Sequence, residues 1–191
     1  MPSYATEQER KAILDAAKIA EVNVLRLLNE STATAIGYGI FRKAEFDANP
    51  RNVCFVDFGH CNSSVFVASF TKDKAKILNQ FHERNLGVRN IDWKLLEFYS
   101  KICVEQFDGN PMKKEKTRLR LLDAIEKQRK ILSANIEAAI NVDYIVEDND
   151  LSYHLTREKL EELAAPIVAQ FRTLLENLKK GKNPSFYIAR V

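Results

Sequence analysis

Apolar and polar positions in the amino-terminal part of the chain recur at spacings typical of two helices. Thr6 and Glu9 form a capping-box pair that begins a helix ending near Ala20, and a second helix is predicted over residues 32–41. The apolar run between them, residues 22–28, predicts a short and mostly buried strand. We therefore expect helix, strand and helix in this order.

The following part of the chain predicts a β-meander. Three short runs rich in β-branched and aromatic residues are separated by clusters of polar residues and glycine. Short connections of this kind join antiparallel neighbours. The predicted strands cover residues 52–57, 64–70 and 75–82.

The remaining sequence has mainly helical spacing and one hairpin. A long helix after the hairpin contains Pro166, which we expect to kink it. The predicted elements are helices over residues 91–106 and 113–133, a hairpin of residues 136–147 and 151–155, a helix over residues 156–180 and a strand over residues 185–191. The whole pattern predicts a mixed α/β protein.

Composition excludes several functions. The 191 residues carry 29 Lys and Arg against 26 Asp and Glu, and this net charge of +3 is too small for a dedicated nucleic-acid binder. We expect no membrane span and no secretory signal, because no apolar stretch is long enough for either. Three cysteines without a Cys-x-x-C pair fit a reducing compartment, and the histidines do not complete a zinc site.

Two acidic residues stand where predicted strands end. Asp57 closes the first strand of the meander, and Gly59 would let backbone N–H groups approach a phosphate closely. Glu30 lies between a predicted strand and a helix, which is a usual place for a catalytic carboxylate. The ordinary alternatives are a hairpin turn and a charge that complements the helix dipole, and each feature taken alone favours the ordinary one.

The helix predicted over residues 113–133 carries a polar face. Its side chains could grip a nucleoside, since a carboxylate accepts ribose hydroxyls, a guanidinium stacks on a base and a hydroxyl bonds a ring nitrogen. The solvated face of an amphipathic helix is the commoner explanation, and it also fits the basic run of residues 113–120. The face consists of Glu126, Arg129, Lys130 and Ser133.

Taken in order, four segments resemble the ATPase domain of the 70-kDa heat-shock chaperones, in the actin/hexokinase superfamily. Residues 1–41 look like the family's Val-Pro-Ala-Tyr strand, helix and Asn-Glu-Pro-Thr-Ala-Ala-Ala segment. VDFGHCNSSVFV, residues 56–67, stands where the family has its second phosphate loop, Asp-Leu-Gly-Gly-Gly-Thr. NLGVRNIDWKL, residues 85–95, is similar to Leu-Gly-Gly-Glu-Asp-Phe-Asp, and EKQRKILSAN, residues 126–135, to the adenosine-binding helix.

This resemblance implies an α/β fold of the actin-like ATPase (ribonuclease H-like) type, with ATP in a cleft between two lobes. Residues 1–46 would be the end of the first lobe and the crossing helix. Residues 47–86 and 166–191 would form the base of the second lobe, a mixed β-sheet with helices, and residues 87–165 its smaller α+β upper subdomain. The rest of the first lobe and the adenosine loop would lie outside the chain, so we expect the chain alone to be inactive.

The resemblance also implies roles for individual residues. Glu30 would be the catalytic glutamate that helps position the attacking water, and Asp57 would hold Mg²⁺ through water. Contacts with ATP or ADP are implied for Gly59 and His60 in the phosphate loop, Gly87 near the ribose and phosphates, and Glu126, Arg129, Lys130 and Ser133 around the adenosine.

The chain departs from the family at the phosphate loop. His60, Cys61 and Asn62 replace Gly-Gly-Thr, and Arg129-Lys130 reverses the family's Lys-Arg order. The altered loop is similar to that of the 110-kDa relatives, which act largely as nucleotide exchange factors, whereas Glu30 follows the ordinary ATPases. We therefore expect a cytoplasmic ATP-binding chaperone with weak or no hydrolysis. The alternative is an exchange-factor module that binds ATP without productive hydrolysis and grips a 70-kDa chaperone partner.

Overall fold

The computed structural model describes residues 1–180 and the short strand at residues 187–189. Groups of helices and groups of strands follow one another along the chain, which gives a mixed α/β protein. The helices are α1 (Glu7–Ile19), α2 (Glu30–Phe41), α3 (Val88–Phe107), α4 (Glu115–Leu132) and α5 (Arg157–Lys180), with 3₁₀ turns at Lys43–Glu45 and Pro111–Lys113. The strands are β1 (Arg51–Phe58), β2 (Ser63–Phe70), β3 (Ala75–Glu83), β4 (Glu137–Val146), β5 (Asn149–Thr156) and β6 (Tyr187–Ala189).

The chain folds as two compact units. The first contains Met1–Asp57, Ser63–Glu83 and the described residues from Leu174 onward. The second contains Phe58–Asn62 and Arg84–Thr173. Each unit has a hydrophobic cluster of its own.

A four-stranded sheet forms the centre of the first unit, in the order β3-β2-β1-β6. The adjacency of β1, β2 and β3 confirms the predicted meander, and β6 runs parallel to β1. Aromatic rings fill its core, with Phe55 stacked on Phe66 at a ring-centroid distance of 4.6 Å and edge-on to Tyr38 of α2. Of the predicted final strand, residues 187–189 form β6, and its other residues lie outside the described part of the chain.

The prediction of a buried strand at residues 22–28 was wrong. This segment is irregular, and its apolar side chains are exposed, by 59% at Val22 and 91% at Leu25. Its end contacts the first residue of the chain: the Met1 amino group donates to the Leu28 carbonyl, and the Glu30 N–H donates to the Met1 carbonyl. A short apolar run becomes a strand only where a partner strand satisfies its backbone, and no such partner exists within the described residues.

The second unit packs α3 and α4 against the β4–β5 hairpin. Both helices and the hairpin were predicted, and Asp108, in the left-handed conformation, caps the end of α3. Pro166 lies inside α5 without ending it. The fully buried core residues are Leu95, Leu96, Tyr99 and Cys103 of α3, Leu121, Ile125 and Leu132 of α4, and Leu151 and Leu155 of β5.

One buried polar network joins three elements of this unit. The Gln128 side chain of α4 is 1% exposed; its Oε1 accepts a hydrogen bond from the Tyr99 hydroxyl at 2.7 Å, and its Nε2 donates to the Ala138 carbonyl of β4 at 2.9 Å. Burial raises the pKa of Tyr99, so its hydroxyl stays protonated and keeps donating. Because the Gln128 amide bonds a partner on each side, this residue fixes the spacing of α3, α4 and β4.

The described part of the chain contains neither a metal-binding cluster nor a membrane-spanning helix. Within residues 1–180, no group of three or more His, Cys, Asp or Glu side chains could hold a metal ion. In the same residues, no helix is long and apolar enough to cross a membrane. Cys54 and Cys103 are buried, and desolvation raises the pKa of each thiol.

Replacing Gln128 with Leu should destabilise the chain markedly. The substitution leaves the buried Tyr99 hydroxyl without its acceptor and removes the bond to the Ala138 carbonyl, so we expect the free energy of unfolding to fall by about 2–4 kcal/mol. Urea denaturation followed by circular dichroism measures it. Lys127→Ala, one residue away and exposed, is the control and should change stability by less than about 0.5 kcal/mol. Equal effects of the two substitutions would contradict the role given to this network.

Candidate functional site

The polar face predicted for the fourth helix is present on α4. Leu121, Ile125 and Leu132 turn into the core, while Glu126 and Lys130 are exposed. Four residues spaced at i, i+3, i+4 and i+7 share one side of an α-helix, which is why the sequence pattern located this face correctly. The structure thus brings together, in the second unit, Glu126, Arg129, Lys130 and Ser133.

Arg129 is the most constrained member of this face. Its Nε lies 2.6 Å from Oδ1 of Asp92 on α3, and its Nη2 lies 3.3 Å from Oδ2, so the guanidinium grips the carboxylate at two points. Asp92 is only 6% exposed. A two-point contact between planar groups holds the guanidinium in one orientation.

Glu126 and Lys130 form a pair at the surface. Lys130 Nζ lies 2.6 Å from Glu126 Oε1, and this contact is the main cause that lowers the pKa of Glu126. The charges of Arg129 and His60 lower it further by smaller amounts. The Glu126 carboxylate is therefore ionised, and it can accept hydrogen bonds.

A cavity of about 850 Å³ opens beside this face. One wall comes from the end of α4 and the other from α5, and most of the lining side chains are apolar. Concave, mainly apolar sites with a few polar groups are the usual form of small-molecule sites. The lining residues include Arg129 and Leu132 of α4, Ser133 directly after this helix, and Ala164, Val168 and Arg172 of α5.

Arg157 was not singled out from the sequence, although it shapes the same cavity. Its Nε donates to the Leu132 carbonyl at 3.0 Å, and its Nη2 donates to the Asn135 carbonyl at 2.8 Å. These contacts satisfy carbonyl groups at the carboxyl end of α4 that the helix leaves without partners. Arg157 thereby fixes the turn that carries Ser133, and no local pattern signals it because its partners lie 22 and 25 residues away.

The predicted phosphate loop is closed by its own hydrogen bonds. The N–H of Gly59 donates to the Asn62 carbonyl at 3.0 Å. The carbonyls of Gly59 and His60 accept from the N–H groups of Val88 and Arg89, at 2.9 and 3.0 Å. Amides that a phosphate would need at the start of α3 are thus already occupied by the protein.

Gly87 is required by close packing in this region. Its N–H donates to Oδ1 of Asn90 at 2.9 Å, and a Cβ atom added to it would collide with the His60 carbonyl oxygen and lie 2.7 Å from that of Gly59. No side chain fits such a gap. The structure therefore brings Gly59, His60 and Gly87 together.

Glu30 and Asp57 both belong to the first unit. Glu30 is the first residue of α2, Asp57 lies near the end of β1, and both side chains are exposed. Among the described residues, neither carboxylate has a hydrogen bond or an ion pair. A single free carboxylate such as that of Asp57 fits contact with Mg²⁺ through water, since Mg²⁺ usually keeps several of its water ligands.

Substituting Gly87 should disrupt the loop contacts. Gly87→Ala forces the Gly59–His60 turn away from α3, so we expect a loss of about 2 kcal/mol or more in the free energy of unfolding. Gly37 of α2 is the matched control, because nothing lies within 4 Å of a Cβ added there. Gly37→Ala should stabilise the chain by about 0.5–1 kcal/mol. Denaturation curves of both variants test this, and destabilisation by Gly37→Ala comparable to that of Gly87→Ala would contradict it.

Heat-shock proteins are similar in sequence to this chain over most of its length. The sequence profile described as Hsp70 protein matches residues 1–184. Heat shock 70 kDa protein 16 of Arabidopsis thaliana is 39% identical over 170 residues, which are 88% of this chain and 22% of that protein. A heat shock protein homolog of Eremothecium gossypii is 37% identical over 88% of this chain and 24% of its own length. Heat shock 70 kDa protein 4L of Homo sapiens is 34% identical over 96% of this chain and 22% of its own length.

The profile match and these relatives cover nearly all of the chain, and the chain spans roughly a fifth to a quarter of the relatives' lengths. The match confirms the resemblance found from the four segments. It also agrees with the α/β architecture of the structure, since the family implies an actin-like ATPase fold. The chain belongs to the Hsp70 protein family.

Proposed function

We propose that the chain is part of the nucleotide-binding domain of a heat-shock-type chaperone and that its second unit binds the nucleoside part of ATP or ADP. The observation that carries the proposal is the cavity of about 850 Å³ beside Arg129 and Ser133. Its mainly apolar walls suit a purine base, and the adjoining polar groups suit a ribose.

The polar side chains beside the cavity offer the hydrogen-bonding and stacking groups that a nucleoside requires. The ionised carboxylate of Glu126 can accept hydrogen bonds from ribose hydroxyls. The planar guanidinium of Arg129 can stack on a base, and the Ser133 hydroxyl, which now donates to the Lys130 carbonyl at 2.6 Å, has acceptor capacity left. Lys130 holds Glu126 in place from the same face.

Fewer backbone donors are available for the phosphates than polar groups for the nucleoside. Phosphoryl transfer needs the phosphates clamped and a metal ion held in line. The amides of Gly59, Val88 and Arg89 already donate to protein carbonyls, which supports weak or absent hydrolysis by the parent protein. The roles of Glu30 with the attacking water and of Asp57 with Mg²⁺ belong to this proposal, as does completion of the site by the rest of the first lobe.

The same occupied amides favour a second candidate function. In an exchange-factor module, bound ATP would stabilise one conformation that grips a 70-kDa chaperone, and no hydrolysis would be required. The proposed division is unchanged in either case: residues 1–46 end the first lobe, residues 47–86 and 166–191 form the base of the second lobe, and residues 87–165 form its upper subdomain.

A titration followed by ¹⁵N nuclear magnetic resonance tests nucleoside binding. Mg-ADP added to the 191-residue chain should shift the signals of Arg129, Ser133 and their neighbours in a saturable way. Ser133→Ala removes one hydrogen bond to the ligand and should weaken binding by about threefold to tenfold.

Ser152→Ala is the matched control, because this exposed serine of β5 bonds Asn141 and does not line the cavity. Its dissociation constant for Mg-ADP should equal that of the unmodified chain. Saturable shifts confined to other surfaces, with none at the α4 face, would overturn the proposed function.

A further inference from the structure

Asp92 is a charged residue that is almost completely buried. The residue is 6% exposed, and its carboxylate accepts hydrogen bonds from two nitrogens of Arg129. A buried carboxylate is costly unless it is paired and hydrogen-bonded, so the position of Asp92 depends on Arg129. The dependence also runs the other way, because Asp92 fixes the plane of the guanidinium.

The pair leaves one part of Arg129 for a ligand. Nε and Nη2 are committed to Asp92, and Arg129 also lines the cavity, so Nη1 and the face of the guanidinium are what a ligand can contact. The charge of Arg129 is matched by that of Asp92. A guanidinium in this state suits a neutral acceptor or an aromatic ring better than an anion.

The other charged residues that line the cavity are engaged in different ways. Arg157 keeps its positive charge, but two of its guanidinium nitrogens donate to the carbonyls of Leu132 and Asn135. Glu161 and Arg172, on the α5 wall, carry opposite charges. Among these lining cations Arg129 is paired with the buried carboxylate of Asp92, so its strength toward a phosphate depends on Asp92.

We infer that Asp92 is a positioning residue of the nucleoside site: it holds the Arg129 guanidinium in the cavity wall and makes the site select the neutral nucleoside over free phosphate groups. The inference rests on the proposed function of the α4 face. It assigns a ligand-selecting role to a residue that touches no ligand, through contacts that join α3 to α4.

A double-mutant cycle tests whether Asp92 acts through Arg129. Dissociation constants for adenosine are measured by magnetic resonance titration for the unmodified chain, Asp92→Asn, Arg129→Ala and the double variant. We expect each single substitution to weaken adenosine binding by about fivefold to tenfold, and the double variant to bind no worse than Arg129→Ala alone. Independent, multiplying losses would overturn the inference.

The affinity for inorganic pyrophosphate separates a positioning role of Asp92 from a merely structural one. Asp92→Asn frees the charge of Arg129, so pyrophosphate should bind at least about threefold more tightly while adenosine binds more weakly. Parallel weakening of both ligands would overturn the inference, because it would mean general damage to the unit. Thermal unfolding of each variant verifies that the fold is kept.

If Asp92→Asn does not fold, Arg129→Lys tests the same contact. The lysine keeps a charge for Asp92 but cannot grip it at two points, so adenosine binding should weaken by about fivefold with little change in unfolding temperature. Unchanged adenosine binding by Arg129→Lys would overturn the inference while leaving the proposed function intact. Failure of the unmodified chain to bind adenosine or Mg-ADP would overturn the proposed function and the inference with it.

Discussion

The second unit depends on two backbone hydrogen bonds at the start of α3. The carbonyls of Gly59 and His60, in the turn after β1, accept from the first amides of the helix, and only a glycine at position 87 allows the two segments to come so close. A helix start that uses protein carbonyls as its partners has its donors satisfied without a ligand. The same contacts that dock α3 therefore withdraw amides from phosphate binding.

Once α3 is docked, its buried polar residues place the neighbouring elements. Asp92 holds Arg129, and Tyr99 holds Gln128, so two side-chain networks spaced about two turns apart on α3 align this helix with α4. Gln128 extends the second network to Ala138 of β4. These contacts orient the elements as well as stabilise them, because buried hydrogen bonds tolerate little displacement. The polar face of α4 and the cavity beside it follow from this alignment.

Local sequence signals predicted what local physics determines. The capping box at Thr6, the meander and the polar face of α4 depend on residues within one or two turns, and all three are present. Residues 22–28 were predicted wrongly, because periodicity cannot show whether a strand has a partner. The Asp92–Arg129 pair joins residues 37 positions apart, and the carbonyl contacts of Arg157 join residues 22 and 25 positions apart. No spacing rule in the sequence signals contacts of this range. The family resemblance located the candidate residues, and the structure added the contacts that hold them.

The most direct measurement is the affinity of the 191-residue chain for adenosine, AMP, ADP and ATP, titrated in the presence of Mg²⁺ at constant ionic strength. Because the amides of Gly59, Val88 and Arg89 are already taken, added phosphates should gain little, and the four dissociation constants should agree within about a factor of ten. Tightening by about a hundredfold or more from adenosine to ATP, with large shifts of the Val88 and Arg89 amide signals, would contradict this account.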